Sequence, residues 1–227
     1  MNCKHTLASL MLASAFPLTA LAAGGHYPVD DAGITDPGHF QIETWFTDFH
    51  GNNNEFALLP AWTPAGSSIE LTAGLVRLLE DGDATNRFEP AAKWLFWNSD
   101  TIAISSALQL GFQDGDFNDL LLNLPLSYEL GNAPVAIHAN IGWIHDRAGD
   151  SNVDRLFLGG AFEWGVGDSL DLIGQLYREG ADEELESQLG LRFHFDSPVE
   201  YLDLSVGRVL SGDDKDWFVI VGFGLAF

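Results

Sequence analysis

The residues best placed to do chemistry are polar side chains that recur at every second position of otherwise apolar segments. A period of two is typical of a β-strand whose two faces meet different surroundings. The polar-face residues predicted to line a common interior are Glu43, Glu70, Glu89, Lys93, Glu129, His138, Glu163, Asp171, Gln175, Arg192, His194 and Asp203. Such a row can line a narrow aqueous path that favours cations and polar solutes, or it can interlock as ion pairs that plug the interior. Both interpretations stay open from the sequence.

A hydrolase site is the enzymatic alternative. His145 and Ser151 are close in sequence, and Asp146 or Asp150 could orient the imidazole for attack by the serine. No nucleophile elbow or comparable motif accompanies them. The histidines also lack the short spacing of metal ligands. The sequence therefore favours a protein with no catalytic residue, cofactor or metal.

Charged residues outside the predicted interior indicate contacts with the envelope. Arg77, Arg178 and Arg208 interrupt apolar outward rows near strand ends, where a guanidinium could meet lipopolysaccharide phosphates or simply remain solvated. Acidic pairs occur in the connections, and clustered carboxylates suit divalent cations. Solvated acidic loops are the favoured interpretation of these pairs, which are Asp81 with Asp83, Asp114 with Asp116, and Asp213 with Asp214.

The composition and the N-terminus indicate an exported, acidic protein. The 227 residues include 10 Lys and Arg against 33 Asp and Glu, which makes nucleic acid an improbable partner. Lys4 precedes an apolar stretch that ends in Ala20-Leu21-Ala22, the small-x-small pattern that signal peptidase cleaves. We therefore predict a signal peptide over residues 1–22. Its removal takes away Cys3, the only cysteine.

The elements that must position the polar rows are strands. About twelve alternating segments lie between residues 38 and 227, each near the roughly 9 to 11 residues that a tilted strand needs to cross a bilayer. This pattern predicts an all-β fold, a closed antiparallel transmembrane β-barrel in the outer membrane. A soluble β-sandwich would also alternate, but its outer faces should be polar. Pro60, Pro90 and Pro125 each remove a ladder hydrogen bond, so irregular pairing or bulges are expected there.

The predicted connections alternate in length. Short turns are expected at 63–66, 98–100, 131–134, 167–169 and 196–198, and longer acidic loops at 50–54, 80–86, 113–118, 146–154, 179–186 and 211–215. In outer-membrane barrels, short turns are periplasmic and longer loops extracellular. Outward aromatic residues are expected near both strand ends, as two interfacial girdles.

The C-terminal strand indicates closure of the sheet. Trp217, Val219, Val221, Phe223 and Leu225 share an apolar face with the terminal Phe227. A membrane barrel must pair its last strand with its first, because a free edge in lipid leaves backbone groups unsatisfied. The terminal aromatic resembles the signal that the barrel assembly machinery recognises, and we predict that role for Phe227.

The N-terminal stretch resembles a known family. Residues 27–33, with paired Asp30 and Asp31, precede a Gly-x-x-Gln-x-Glu strand opening at 38–43. This arrangement is similar to the outer-membrane family named for the MetA pathway of phenol degradation. The resemblance implies a barrel that passes small, often aromatic or hydrophobic compounds, without catalytic residues. Residues 23–37 would then form either a gate in the lumen or a periplasmic lead. We predict a passive channel, with a plugged structural or surface-interaction barrel as the alternative.

Overall fold

The protein is a closed barrel of twelve antiparallel strands, as predicted. The computed structural model describes residues 25–49, 53–131, 133–147, 152–180, 184–211 and 216–227. Neighbouring strands pair in chain order, and β1 pairs with β12 to close the sheet. Among the described residues no helix is long and apolar enough to cross a membrane.

The strand bounds are β1 Phe40–Asp48, β2 Asn54–Trp62, β3 Ile69–Glu80, β4 Asp83–Asn98, β5 Ile102–Gln113, β6 Asp116–Glu129, β7 Val135–Asp146, β8 Val153–Gly167, β9 Leu170–Glu179, β10 Glu186–His194, β11 Val199–Val209 and β12 Trp217–Ala226. We call the end of the barrel that holds Phe40 and Phe227 the near end, and the opposite end, where β1 turns into β2, the far end.

Alternation sorts the side chains between the lumen and the outer wall. On β7, Ile137 and Ile141 are exposed on the outside, whereas His138 and Asn140 are buried inside. The same alternation holds on β12, where Phe218, Ile220, Gly222 and Gly224 form the buried inner row. An outer wall of exposed Leu, Ile, Val, Phe and Trp is the surface that lipid solvates. The structure therefore contradicts a β-sandwich, in which these rows would be buried.

Two far-end connections are shorter than predicted. The segments 80–86 and 113–118 are not long loops, because β3 joins β4 through Asp81-Gly82 and β5 joins β6 through Asp114-Gly115. Asp81 and Asp114 have φ of 50° and 51°, and the glycines 97° and 98°. Positive φ at both central residues is what a type I′ hairpin turn requires, and Asp-Gly is a preferred sequence for it. Strands β4 and β6 consequently begin earlier than the hydrophobic pattern indicated.

The three prolines interrupt pairing as expected. At Pro60 the ladder with β3 stops after Leu58 and resumes at Ala61, while pairing with β1 continues. Pro90 and Pro125 likewise interrupt the ladder with β5 and pair with their other neighbour. The register shifts lie elsewhere, at 95–97, 111–112, 165–167 and 199–201. A strand with two neighbours can thus accommodate proline when one ladder is released.

At the near end, the start of β1 pairs with the last residue of the chain. The amide of Phe40 donates to the Phe227 carbonyl over 3.1 Å, and the amide of Phe227 donates to the Phe40 carbonyl over 2.9 Å. The Phe227 ring is 60% exposed on the outer wall. The Gly38 amide donates to the Thr63 carbonyl over 2.7 Å at the same end.

Candidate functional site

The lumen is occupied by the chain's own N-terminal residues. The segment of residues 25–37, which we call the plug, precedes β1 and takes no part in the strand ladders. Tyr27, Val29, Asp31 and Ala32 are each less than 5% exposed. Residues that carry no strand pairing can be this buried only because the barrel wall surrounds them. The structure therefore places this segment inside the lumen.

Polar side chains of the wall hold the plug backbone. Gln175 accepts from the Val29 amide over 3.0 Å, and Ser127 accepts from the Ala32 amide over 2.8 Å. Asn140 makes two bonds to Asp30, accepting from its amide over 2.9 Å and donating to its carbonyl over 2.6 Å. Backbone groups without a ladder need such partners when they are buried. The polar row of the lumen thus replaces a neighbouring strand for this segment.

Apolar contacts fix Val29 of the plug in the lumen. Val29 is fully buried in a cluster with Ile144, Phe157, Ala161 and Tyr177. Inward glycines leave the room for these contacts. A Cβ at Gly159 would lie 2.6 Å from the Val29 Cγ2 atom, and a Cβ at Gly190 would collide with the Tyr27 hydroxyl.

Charged side chains of the wall hold the other half of the plug. The Nζ atom of Lys93 lies 2.9 Å from Oδ1 of Asp30 and 3.9 Å from Oδ1 of Asp31. Oε2 of Glu70 accepts from both the amide and the hydroxyl of Thr35, each over 2.6 Å. Lys93 and Glu70 are direct register partners on β4 and β3. One patch of the wall therefore contacts the plug through both a cation and a carboxylate.

Several other charged lumen residues form ion pairs within the wall. Arg192 donates two parallel bonds to Asp203, of 2.9 and 2.8 Å, and its guanidinium lies 4.1 Å from the Tyr201 ring centroid. Such bidentate pairs are rigid as well as strong. His194 lies 2.5 Å from Asp171. In two further wall groups, Arg87 pairs with Glu89 and Asp119, and Arg155 pairs with Asp146 and Glu179.

Burial shifts the pKa values of several plug residues, among them His26 and Asp30. Burial, together with the Arg192 guanidinium, lowers the pKa of His26 to about 3. The Asp203 carboxylate lies 3.8 Å from the His26 ring, but it already accepts two hydrogen bonds from Arg192. Burial raises the pKa of Asp30 to about 6, although Lys93 opposes this shift. Docking of the plug therefore favours the neutral form of both side chains.

The other residues predicted to line the lumen lie in the same interior. Oε1 of Glu43 accepts from the Tyr201 hydroxyl over 2.5 Å, and Nδ1 of His138 is 2.8 Å from the Ser127 hydroxyl. Glu163 is 1% exposed. Glu89 accepts from Arg87 and Gln109, Gln175 also donates to Gln188, and Glu129 is half-buried near the near end of β6.

Several residues of this interior were not predicted from the sequence. Tyr27, Val29 and Thr35 of the plug carry no charge or motif that singles them out. Asn140 and Ser127 stand on predicted inward rows, but nothing local shows that they bind backbone. The available signal was glycine at inward positions such as Gly159 and Gly190, because an inward glycine on a strand indicates close approach of another segment.

The predicted residues outside the lumen lie on the outer wall or beyond the described ranges. Arg77 and Arg208 are exposed, and Nε of Arg178 donates to the Gly180 carbonyl. Arg208 borders a depression of about 750 Å³ on the outer wall. His145 contacts Asp154 over 2.8 Å. The predicted signal peptide, Ser151, Asp150, Asp213 and Asp214 lie outside the described residues.

A family model covers most of the chain. The family model described as "Uncharacterised conserved protein UCP029691" matches residues 11–227. The chain belongs to that family. This match does not confirm the resemblance to the MetA-pathway family, which stays a prediction. No curated protein matches the chain.

Solved outer-membrane porins and channels share the fold. A KdgM porin has 13% identity and a TM-score of 0.67, with 82% of this chain and 99% of the porin covered. A NanC porin has 10% identity and a TM-score of 0.63, with coverage of 82% and 98%. The COG4313 outer membrane channel from Pseudomonas putida F1 has 12% identity and a TM-score of 0.60, with coverage of 87% and 98%. At these identities the likeness concerns the fold alone.

Proposed function

We propose that the protein is an outer-membrane channel for passive passage of small solutes, and that the plug closes it in the state described. The observation that carries this proposal is the plug itself. It fills the lumen through side-chain contacts and takes no part in the ladders of the barrel, so it can leave without breaking the sheet. The shared fold with porins and channels supports the same role. Asp30 and Asp31 are then gate residues, which is one of the two roles that the sequence left open for residues 23–37.

The charge of the wall gives the open channel its preference. Within the described strands, the basic residues on inward positions are Arg87, Lys93, Arg155 and Arg192. Carboxylates on inward positions are more numerous and include Glu43, Glu55, Glu70, Glu89, Asp119, Glu129, Asp146, Glu163, Asp171, Glu179, Glu186 and Asp203. A ring of carboxylates favours cations over anions. We therefore propose passage of cations and neutral polar solutes.

The resemblance to the MetA-pathway family adds aromatic and hydrophobic compounds to the solutes proposed to pass through the channel. An acidic wall should pass a neutral aromatic alcohol and reject an aromatic carboxylate of the same size. Liposome swelling with such a matched pair tests this point. Equal rates for both solutes would contradict selection by the wall.

The experiment that tests the channel itself is planar-bilayer conductance of the folded barrel, with the plug in place and with the plug displaced. We expect low conductance in the first case and frequent openings in the second. A folded barrel that never conducts, even with a displaced plug, would overturn the channel while leaving the fold intact. That result would favour the alternative, a plugged structural barrel, whose supporting observation is the interlocked pair of Arg192 and Asp203.

Two envelope contacts belong to the same proposal. With the near end periplasmic, Arg208 lies toward the outer leaflet, where its guanidinium can bind lipopolysaccharide phosphate. The adjoining apolar depression can accept an acyl chain. The exposed Phe227 at the end of β12 remains the proposed signal for the barrel assembly machinery.

A further inference from the structure

We propose that Lys93 and Glu70 exchange partners when the gate opens: both bind the plug in the closed channel, and they bind each other in the open one. This inference rests on the proposed channel function and deepens it. It assigns Glu70, which the sequence predicted only as a lumen residue, the role of neutralising the positive charge that a departing plug leaves behind.

The pairing of the wall cations carries the inference. Arg87, Arg155 and Arg192 each form ion pairs with carboxylates on strands of the wall, over distances of 2.7 to 3.9 Å. Lys93 differs from them, since both of its ion pairs are with carboxylates of the plug. Departure of the plug therefore removes the partners of one wall cation and leaves those of the other three in place.

The position of Glu70 supplies the second step. Direct partners on an antiparallel pair project to the same face, with Cβ atoms roughly 4.5 to 5.5 Å apart. Glu70 and Lys93 are such partners. In the closed state both are engaged by the plug, because Oε2 of Glu70 accepts from Thr35 while Asp30 accepts from the Lys93 ammonium. Without the plug, each becomes the nearest available partner of the other.

The physical reason for the exchange is the cost of an uncompensated charge. An ammonium in a partly enclosed site loses hydration, and removing its partner is strongly unfavourable. A cross-strand Lys93–Glu70 pair offsets this cost in the open state. The exchange also keeps the open lumen acidic, since no unpaired cation faces the passing solute.

The test displaces the plug without altering any charged residue. Gly159→Leu places a side chain where Val29 Cγ2 now lies. Gly160→Leu is the matched control, because Gly160 faces outward and its Cβ would approach nothing nearer than 4.0 Å. Each full-length barrel is treated with a carbodiimide, which activates a carboxylate so that a contacting amine forms an amide with it while a urea leaves. The linked peptides are identified by mass spectrometry. Heat-dependent gel mobility confirms that each barrel is folded.

We expect Lys93 to be linked to Asp30 or Asp31 in the wild type and in Gly160→Leu, and to Glu70 in Gly159→Leu. Lys93→Arg, which keeps the charge but does not couple, should abolish all these products. A Gly159→Leu barrel whose Lys93 links to no carboxylate, or still links only to Asp30 or Asp31, overturns the exchange. If Gly159→Leu does not fold, Gly159→Ala brings a Cβ into the same collision and is judged by the same products.

The cross-link and the conductance can fail separately. A Glu70 cross-link in a barrel that never conducts supports the exchange and overturns the channel function. A conducting barrel without the Glu70 cross-link overturns the exchange alone.

Discussion

Replacement of Gly159 by leucine should release the plug. The added side chain needs the space that Val29 fills, and a single Cβ already lies 2.6 Å from its Cγ2 atom. Val29 must then leave its fully buried cluster with Ile144, Phe157, Ala161 and Tyr177. Full burial of a valine side chain contributes about 1.5 to 3 kcal/mol. Since each 1.4 kcal/mol is about a tenfold change in an equilibrium constant, the docked population should fall about ten- to a hundredfold relative to the released one.

Two measurements report this change. Hydrogen exchange by mass spectrometry follows the amides of Val29, Asp30 and Ala32, which are protected by wall side chains in the docked state. Their protection should fall by the same factor. Planar-bilayer recordings should show a corresponding rise in open probability. Gly160→Leu adds the same side chain to the lipid face and should match the wild type in both measurements.

Unchanged hydrogen-exchange protection of the plug and unchanged conductance in Gly159→Leu would refute the reasoning. They would mean that the packing of Val29 against Gly159 does not hold the plug in the lumen. Increased exchange without conductance would refute only the link between release and opening. A rise of equal size in Gly160→Leu would show that the effect comes from the wall and not from the lumen.

Three further outcomes are expected. Lys93→Met should raise the open probability roughly tenfold in bilayer recordings, because it leaves the partly buried Asp30 carboxylate without its cation. An unchanged open probability would show that this ion pair does not hold the plug. The pH dependence should have opposite signs in two variants. In Asp30→Asn, acidification from pH 7 to 5 should favour opening, because released His26 takes up a proton near its ordinary pKa of 6.5 whereas docked His26, with a pKa of about 3, does not. In His26→Gln it should favour closing, because docked Asp30 takes up a proton near pH 6; equal slopes in the two variants would contradict these shifts. Arg208→Ala should lower the lipopolysaccharide that co-purifies with the barrel, measured by mass spectrometry, and an unchanged amount would remove this contact.

Alternation along the chain was sufficient to predict the barrel. The number of strands, the lumen and lipid faces, the closure by the last strand and the irregular pairing at the prolines all follow from a local period of two and from the backbone's need for partners. The predicted lengths of two far-end connections were wrong, although Asp81-Gly82 and Asp114-Gly115 carry the sequence signal of a hairpin turn. Their flanking polar residues concealed the continuation of the strands, because hydrophobicity fades where a strand passes beyond the lipid.

The interior was predictable only in part. The sequence by itself determined which side chains face the lumen, because side-chain direction alternates with each residue along a strand. Whether those side chains line an open path or hold a plug was decided by the tertiary structure. Asp30 and Lys93 are 63 residues apart, and Val29 and Gln175 are 146 apart. Only the curvature of the closed sheet brings these groups around one segment, and no local pattern encodes a distance across a lumen.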